Sequence, residues 1–304
     1  MFRYHSSVSR FLAVASVLLC VASSAKAQEK VLLRMNLQPG QTFDQGFVME
    51  TETFGNILNE KTVRIITQQI GVHDEVLHVD KNGAVRLKMT FQSLVTKDTT
   101  TNKGKVESSS SDDSTRHIPV IVGQSVIITI SSRGNLTNIE GIDTIAKKQA
   151  ADIKDPSMRE FKAGLLKDIL GSMSEQSVGK VVFPQPAIAV GDFWTEKNSQ
   201  VAFIPFQSNM KYTLMSSKNG VATIAAFSQI KTSFTGTFNG VIRVDEKTGL
   251  IISSELHRRM WVGDKPTIKR SKNISHGKSK SAASPSFSMH AQVTMRRWTV
   301  KLPQ

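Results

Sequence analysis

Alternation of apolar and polar side chains between residues 84 and 95 is the feature that most limits how this chain can fold. The apolar positions are Val85, Leu87, Met89, Phe91 and Val95, and the polar positions between them are Arg86, Lys88, Thr90 and Gln92. Successive side chains of a β-strand point to opposite faces of the sheet, so the pattern predicts a half-buried strand. One wetted face is typical of an antiparallel sheet.

The same period recurs along most of the chain. Strands are predicted at 43–54, 62–79, 126–130, 208–216, 221–231, 237–245, 250–262 and 287–302. Asn82-Gly83 and Asn219-Gly220 each lie between two such segments, and Asn-Gly favours the tight turn of a hairpin. We expect a mainly β (α+β) protein with a curved antiparallel sheet or half-barrel packed on a central helical segment. A two-sheet β-sandwich with capping helices is the alternative.

The first 27 residues have the three zones of a secretory signal peptide. Arg3 and Arg10 give a basic start, which an apolar run follows. Ala25-Lys26-Ala27 then places small residues at the two positions that signal peptidase recognises. The apolar run is shorter than the about 20 residues that a membrane-spanning helix needs. We therefore expect cleavage before Gln28 and an exported protein, periplasmic or extracellular, with envelope association left open.

The only cysteine, Cys20, lies within that apolar run. Acylation of Cys20 in a lipoprotein is the alternative to cleavage after Ala27, although Leu19 before it is not the usual small residue. Cleavage after Ala27 removes the thiol. Disulfides, thiolate metal sites and cysteine nucleophiles are then excluded from the mature protein.

A helical pattern interrupts the strands at residues 141–180. Asp155-Pro156 is a helix start, with an acidic N-cap followed by proline at the first helical position. An apolar stripe at helical spacing follows, formed by Met158, Phe161, Leu165, Ile169 and Met173 and widened by Leu166 and Leu170. We expect this helical connector to pack its stripe on the sheet, and a shorter helix to precede it at 142–154.

Two segments lack the apolar side chains that folding requires. Residues 98–117 contain nine Ser and Thr, and residues 264–286 are basic and rich in serine. Both are predicted to be disordered excursions between strands. The second segment supplies six candidates for contact with an anionic membrane or cell-wall surface, namely Lys265, Lys269, Arg270, Lys272, Lys278 and Lys280.

The overall charge agrees with anionic partners. The chain has 39 Lys and Arg against 25 Asp and Glu, a formal net charge of +14. Nucleic acid is not expected as the partner of an exported protein.

Three short matches in the same order indicate two related halves of one domain, at 31–140 and 182–303. Pro39-Gly40-Gln41-Thr42-Phe43 resembles Val190-Gly191-Asp192-Phe193-Trp194, and Lys81-Asn82-Gly83-Ala84 resembles Lys218-Asn219-Gly220-Val221. The stretch from Ile130 through Gly134 to Ile139 resembles that from Val244 through Gly249 to Ser254. Duplication explains the shared order. Chance similarity between the turns of two β-meanders is the alternative.

We find no catalytic, cofactor or metal motif in the sequence. His73 and His78 are five residues apart, which matches neither a helical metal pair nor one face of a strand. Gly277-Lys278-Ser279 lacks the earlier glycine and the strand-to-helix context of a phosphate-binding loop. Gly123-Gln124-Ser125 does not continue as a nucleophile elbow. We therefore expect no enzyme, no cofactor and no metal.

Two arginine pairs fall on predicted strands, Arg258-Arg259 and Arg296-Arg297. Adjacent strand residues point to opposite faces, so one Arg of each pair could line an inner surface. The favoured interpretation is that both pairs are charged strand ends that face solvent, because exposure is the usual state of arginine.

The order of turn motifs resembles a family of secreted bacterial proteins with a domain of unknown function. The residues that carry this resemblance are Pro39-Gly40, Asp80-Lys81-Asn82-Gly83, Ile139-Glu140-Gly141-Ile142-Asp143, Val190-Gly191-Asp192-Phe193-Trp194, and Val244-Asp245 with Thr248-Gly249-Leu250. The layout of meander and helix is similar to the LolA-like lipoprotein-carrier fold. That resemblance implies helices across the concave face of a half-barrel, and it assigns no residue a role.

The sequence leads to a functional hypothesis of a non-catalytic envelope protein that binds an apolar or amphiphilic ligand, such as a lipid, between helix and sheet. The groove candidates are Leu87, Met89, Phe91, Phe161, Leu165, Ile169 and Phe227. A structural or protein-interaction module with a filled core and no ligand is the alternative.

Processing of the exported protein tests the signal-peptide interpretation. Peptide mapping is expected to find Gln28 as the first residue, without an acyl group, because Ala25 and Ala27 present a signal peptidase site. A thioether-linked lipid on Cys20 would contradict both the predicted mature start and the predicted absence of cysteine.

Overall fold

The alternating segments form antiparallel strands. The computed structural model describes residues 29–57, 60–102, 105–111, 121–178, 181–198, 208–231, 235–262 and 288–301. The strands are β1 (Thr42–Ile57), β2 (Glu60–Val79), β3 (Val85–Asn102), β4 (Lys105–Ser111), β5 (Ser125–Ile130), β6 (Leu136–Glu140), β7 (Phe193–Asn198), β8 (Ser208–Lys218), β9 (Val221–Lys231), β10 (Thr235–Asp245), β11 (Ile251–Val262) and β12 (Ser288–Lys301). The helices are α1 (Ile142–Ala150) and α2 (Pro156–Val178).

All of these strands belong to one sheet. Its order is β7-β8-β9-β10-β11-β12-β1-β2-β3-β5-β6, and β4 pairs with β3 beside this path. The predicted mainly β class, with an open, curved antiparallel sheet and helices, is confirmed. The alternative of two stacked sheets is wrong for the described strands, since each continues the hydrogen bonding of its neighbour.

A seam between β1 and β12 joins the two halves of the sheet. The strands come from opposite ends of the chain and pair from Phe43 opposite Lys301 to Asn56 opposite Ser288. On its other edge β1 pairs with β2, and β12 pairs with β11. The seam therefore gives both strands the neighbours that their backbone N–H and C=O groups require.

The sheet is curved so strongly that the β5–β6 turn at one end contacts β7 at the other end. Arg133, in the turn between β5 and β6, forms an ion pair with Glu196 of β7 at 2.6 Å. Phe183 contacts the same turn, since its backbone N–H donates to the Arg133 carbonyl oxygen at 2.8 Å. The indole Nε1 of Trp194 donates to the Val182 carbonyl oxygen at 2.7 Å. The chain at 181–183 thus links the two ends of the sheet.

Residues 31–36 and 181–185, the leading segments of the two halves, each contact a turn of the other half. The Asn36 N–H donates to the Thr248 carbonyl oxygen at 2.9 Å, between β10 and β11. A Cβ added to Gly249 in that turn would overlap the Arg34 carbonyl oxygen, and one added to Gly134 would lie 2.6 Å from the Val181 carbonyl oxygen. Only glycine permits these approaches.

The glycines of the three sequence matches occupy equivalent places in the two halves. All six have a positive φ, namely Gly40 and Gly191, Gly83 and Gly220, and Gly134 and Gly249. The Gly40 N–H donates to the Val76 carbonyl oxygen at 2.8 Å, and the Gly191 N–H to that of Leu214 at 2.7 Å. The matched motifs therefore mark turns with the same backbone hydrogen bonding.

The core lies on one face of the sheet, which we call the inner face. On the first half it includes Leu87, Met89 and Phe91, with Ile142 of α1 and Leu170 of α2 packed in the same cluster. On the second half the buried residues include Tyr212, Leu214, Ile224 and Ile242, together with Leu33 and Phe183 of the leading segments. Helices cover the first half, and the leading segments pack on the second.

Helix α2 begins as predicted, but a different face of it packs. Asp155 Oδ1 accepts hydrogen bonds from the Ser157 and Met158 N–H groups at 2.8 and 3.1 Å, as an N-cap should. The packed side chains are Leu166, Leu170 and Met173, while Phe161 is 66% and Leu165 48% exposed. The predicted stripe is therefore wrong at Met158, Phe161 and Leu165, which are exposed, and confirmed at Leu166, Leu170 and Met173. Leu166 and Leu170 each lie one residue, or about 100°, further round the helix than Leu165 and Ile169.

The first predicted disordered excursion is partly ordered. Residues 98–102 continue β3, and Lys105–Ser111 pairs with them as β4, from Asn102 opposite Lys105 to Thr96 opposite Ser111. Hydrogen bonds between β3 and β4 satisfy the backbone N–H and C=O groups, so this stretch can form the tip of a hairpin without apolar side chains. Residues 112–117, the predicted signal peptide at 1–27 and the predicted excursion at 264–286 lie outside the described residues. Within the described helices, none is long and apolar enough to span a membrane.

Side-chain truncation on each of two faces of α2 tests which face packs against the sheet. Leu170→Ala is expected to lower the free energy of unfolding by about 2–5 kcal/mol, because Leu170 is fully buried in the core. Leu165→Ala, the matched control, should change it by no more than about 0.5 kcal/mol, since that side chain is half exposed. Denaturant unfolding would measure both. Equal losses would contradict the observed orientation of α2.

Candidate functional site

Three polar side chains point inward at the seam: Gln45 of β1, Asp74 of β2 and Arg297 of β12. All three are buried, and we call them the polar cluster. Strand alternation places Gln45 on the same face as Phe43, and Asp74 on the same face as Val72. A group of polar side chains thus lies within an otherwise apolar face.

Gln45 connects the two charged groups. Its Nε2 donates a hydrogen bond to Asp74 Oδ2, and its Oε1 accepts one from Arg297 Nη2. Among the described residues, Asp74 Oδ1 and the Nε and Nη1 atoms of Arg297 have no hydrogen-bond partner. Leaving a buried polar atom unpaired costs about 1–3 kcal/mol, so these atoms call for a water or a ligand group.

A seam cavity of about 20 Å³ adjoins the cluster. Gln45, Asp74 and Arg297 line it together with apolar side chains from both halves, including Phe43, Met89, Ile128, Phe183 and Leu250. A cavity of this size has room for one water-sized group. The polar wall can supply both hydrogen-bond donors and an acceptor to its occupant.

Burial sets the protonation of the cluster. It raises the pKa of Asp74 to about 7, against the opposing effects of Arg297, the Gln45 hydrogen bond and His73, while Asp44 adds to the rise. Burial also lowers the pKa of Arg297 to about 10, and Asp74 opposes that change. At neutral pH, Arg297 is therefore charged while Asp74 is divided between its two forms.

An apolar strip lies beside the cluster on the same face. It consists of four half-buried side chains, Phe47, Met49, Leu94 and Met295, and we call this strip the inner-face groove. Met49 is directly opposite Met295 across the seam. The Arg297 guanidinium lies over the Phe47 ring, with Cζ 5.3 Å from the ring centroid, so Arg297 contacts the groove as well as the cavity.

A second inward arginine lies further along the sheet. Arg258 of β11 is opposite the buried Val293 of β12 and is itself buried. Burial lowers the pKa of Arg258 to about 10, which leaves it charged at neutral pH. One Arg of each pair, Arg258 and Arg297, is buried on the inner face, so the favoured interpretation that both pairs are solvent-facing strand ends is wrong.

The structure does not bring the seven predicted groove residues together. Leu87, Met89 and Phe91 are in the core, and Ile169 packs partly against it. Phe161 and Leu165 are on the exposed side of α2, and Phe227 is 45% exposed on the outer face. The six basic candidates between Lys265 and Lys280 lie outside the described residues.

Sequence reasoning missed Gln45 and Asp74. The available signal was the buried face of β2, where Asp74 follows Val72 and precedes Val76 at a spacing of two. Its neighbour His73 belongs to the outer face, where its Nδ1 lies 2.7 Å from Asp44 Oδ1. Within the described ranges, no three His, Cys, Asp or Glu residues are grouped as metal ligands would be.

Comparison with known proteins yields a family and a fold. The model of a family of unknown function (DUF6263) matches residues 82–251, more than half of the chain, which confirms the predicted resemblance to a family without assigned activity. No curated protein matches the sequence.

The chain matches solved structures at low sequence identity. A structure of lipovitellin, described for its lipid–protein interactions, has a TM-score of 0.52 at 8% identity and covers 88% of this chain. The match spans 26% of the lipovitellin chain, about a quarter of its length. The crystal structure of Pseudomonas aeruginosa OccK7 (OpdD) has a TM-score of 0.24 at 5% identity, covering 87% of this chain and 100% of that one. The likeness to lipovitellin concerns the fold alone.

The raised pKa of Asp74 predicts a pH-dependent stability. Because folding disfavours its ionised form, the contribution of Asp74 is fully present below its unfolded pKa of 3.8 and is lost as the pH rises through about 7. The stability of Asp74→Asn relative to wild type should therefore increase between about pH 5 and about pH 8. Denaturant unfolding across this range would measure the difference.

Asp98→Asn is the matched control. The Arg64 hydrogen bond lowers the pKa of Asp98, so its contribution is lost only as the pH falls below its unfolded value of 3.8. Its offset from wild type should stay constant between about pH 5 and about pH 8. A constant offset for Asp74→Asn as well would show that Asp74 does not titrate in this range.

Proposed function

Because the chain belongs to DUF6263, a family of unknown function, its role has to be argued from its own residues, and we propose that it is an exported, non-catalytic envelope protein that binds an amphiphile on the inner face of its sheet. The observation that carries the proposal is the position of the inner-face groove directly beside the polar cluster. Phe47 belongs to the groove, and the guanidinium of Arg297 lies over its ring.

The apolar part of the site supports the binding of a hydrocarbon chain. Phe47 and Met49 alternate with outward-facing residues on β1, and Leu94 and Met295 extend the apolar surface to β3 and β12. Burial of apolar surface is worth about 0.8 kcal/mol per methylene. A long acyl chain could therefore gain on the order of 10 kcal/mol before the cost of ordering it.

The polar part supports a ligand with a polar end. Arg258 and Arg297 hold two guanidinium groups on the inner face, where burial lowers the pKa of each to about 10. Charges in such surroundings attract an opposite charge more strongly than charges in water do. The net charge of +14 also favours anionic ligands.

The likeness to lipovitellin gives weak support of a different kind. The solved lipovitellin structure was described for its lipid–protein interactions, and its fold matches that of this chain at a TM-score of 0.52. One fold serves many functions, so the binding proposal depends on the groove and the cluster and not on the likeness.

Export and the absence of catalysis are proposed from the sequence. The charged start, apolar run and small-residue site of residues 1–27 support secretion. The sequence contains no recognised nucleophile elbow or phosphate-binding loop, which supports a binding role over an enzymatic one.

A protein-interaction module is the second candidate, and the outer face favours it. Phe193, Phe227 and Val241 are each about half exposed or more. Strand pairing joins Val241 to Ala225, Ala225 to Thr213 and Thr213 to Phe193 in one row across the second half. The filled space between α2 and the sheet also fits a protein without a ligand there.

Introducing a negative charge on either face of β1 tests the binding proposal. Met49→Glu should weaken the binding of a fluorescent acyl-chain probe at least about tenfold, because it buries a carboxylate in the inner-face groove. Val48→Glu, the adjacent residue on the outer face, should leave probe affinity within about twofold. Fluorescence titration of the full-length mature protein would measure both.

Native mass spectrometry of wild-type protein purified without detergent provides an independent measurement. A co-purifying amphiphile that is absent from Met49→Glu would support the groove. Wild-type protein that carries no amphiphile and binds no acyl probe would contradict the proposal and favour the interaction module.

A further inference from the structure

We propose that the seam cavity receives the carboxylate of a long-chain monocarboxylic acid, with Arg297 and a protonated Asp74 donating hydrogen bonds to it. The inference rests on the proposed function and assigns the chemical class of its ligand. The acyl chain would leave the cavity past Phe47 and lie along the inner-face groove.

The hydrogen-bonding groups of the cavity match an oxyanion. Arg297 uses Nη2 to bond Gln45, which leaves Nε and Nη1 without partners among the described residues. The side chain is 7% exposed, so bulk water does not fully hydrate these donors. Charge-assisted hydrogen bonds to a carboxylate are about twice as strong as neutral ones and would satisfy this guanidinium.

The size of the cavity limits the headgroup. Its volume of about 20 Å³ accommodates a group close to the size of one water. One oxygen of a carboxylate is close to that size, whereas a phosphate ester carries four oxygens around its phosphorus and is bulkier. The cavity cannot widen easily, because packed side chains from both halves line it, including Phe43, Phe183 and Leu250.

The position of Asp74 couples binding to a proton. Its Oδ2 accepts from Gln45, and its Oδ1 has no partner among the described residues, so an added proton there could be donated to a carboxylate. An ionised Asp74 would instead repel the ligand. The charged groups that act on Asp74 are Arg297 on the inner face, the adjacent His73 on β2 and Asp44 on β1.

The direction of the pH effect follows from this coupling. Burial raises the pKa of Asp74 to about 7, so the protonated form predominates below that pH and declines above it. With a pKa of about 7, the protonated fraction falls about tenfold between about pH 6 and about pH 8. Carboxylate affinity should fall by the same factor, while the affinity for an uncharged amphiphile should not change.

Isothermal titration with three probes of equal chain length tests the inference. Palmitate, hexadecanol and hexadecyl phosphate are titrated into the full mature protein at about pH 6 and about pH 8. Wild type should bind palmitate at least about tenfold more tightly than either other probe at the lower pH, because only the carboxylate both fits and pairs with Arg297. This preference should shrink about tenfold at the higher pH.

Three variants separate the contributions of the cluster. Arg297→Gln should abolish the preference for palmitate, whereas Arg296→Gln should keep it, because Arg296 is exposed on the outer face and contacts Glu255 at 3.2 Å. Asp74→Asn should keep palmitate affinity at the higher pH, since an amide always carries N–H donors.

The outcomes distinguish the carboxylate assignment from the proposed amphiphile binding. Equal binding of palmitate and hexadecanol by wild type would overturn the carboxylate assignment and leave the proposed amphiphile binding intact. Equal or tighter binding of hexadecyl phosphate would overturn it too. Failure of all three probes to bind would overturn both proposals. If Arg297→Gln does not fold, the wild-type probe comparison and the pH profile of Asp74→Asn still decide the question.

Discussion

Pairing of β1 with β12 is the constraint on which the rest of the structure depends. These strands lie near opposite ends of the described chain, and their ladder from Phe43 to Asn56 makes one sheet out of two halves. Without it both strands would be open edges with unpaired backbone groups at the centre of the molecule. The same ladder positions Gln45 beside Arg297 and sets Met49 opposite Met295, so the polar cluster and the inner-face groove both arise from the seam.

Exchange of leading segments reinforces the seam from the ends of the sheet. Residues 31–36 contact the turn that contains Thr248 and Gly249, and residues 181–183 contact the turn that contains Arg133 and Gly134. Each half thus contributes a segment to the other, which links the packing of one half to that of its partner. The seam cavity is lined by both halves and by Val181 and Phe183, so its shape depends on this exchange.

The polar cluster places a stability cost at the centre of the sheet. Burial shifts the pKa of Asp74 up to about 7 and that of Arg297 down to about 10, and three of their polar atoms lack partners among the described residues. Apolar residues of similar size often serve stability equally well at such positions. Costs of this kind are typical of functional sites, which supports a role in binding for a cluster that adjoins an apolar groove.

The sequence by itself determined most strands, the turns and the start of α2, because alternation, Asn-Gly pairs and an Asp-Pro cap act over a few residues. It did not predict β4, β6 or β7, which are short strands at or beside the edges of the sheet. It showed that one arginine of each pair could face inward, since adjacent strand residues point to opposite faces, but only the structure showed that Arg258 and Arg297 are buried. Only the tertiary structure decided which stripe of α2 packs, as both were apolar and the choice depends on the sheet beneath. It alone decided that Gln45, Asp74 and Arg297 meet, because strand pairing brings residues 45 and 297 together across almost the whole chain. Local patterns fix which face a side chain takes, and long-range pairing fixes its neighbours.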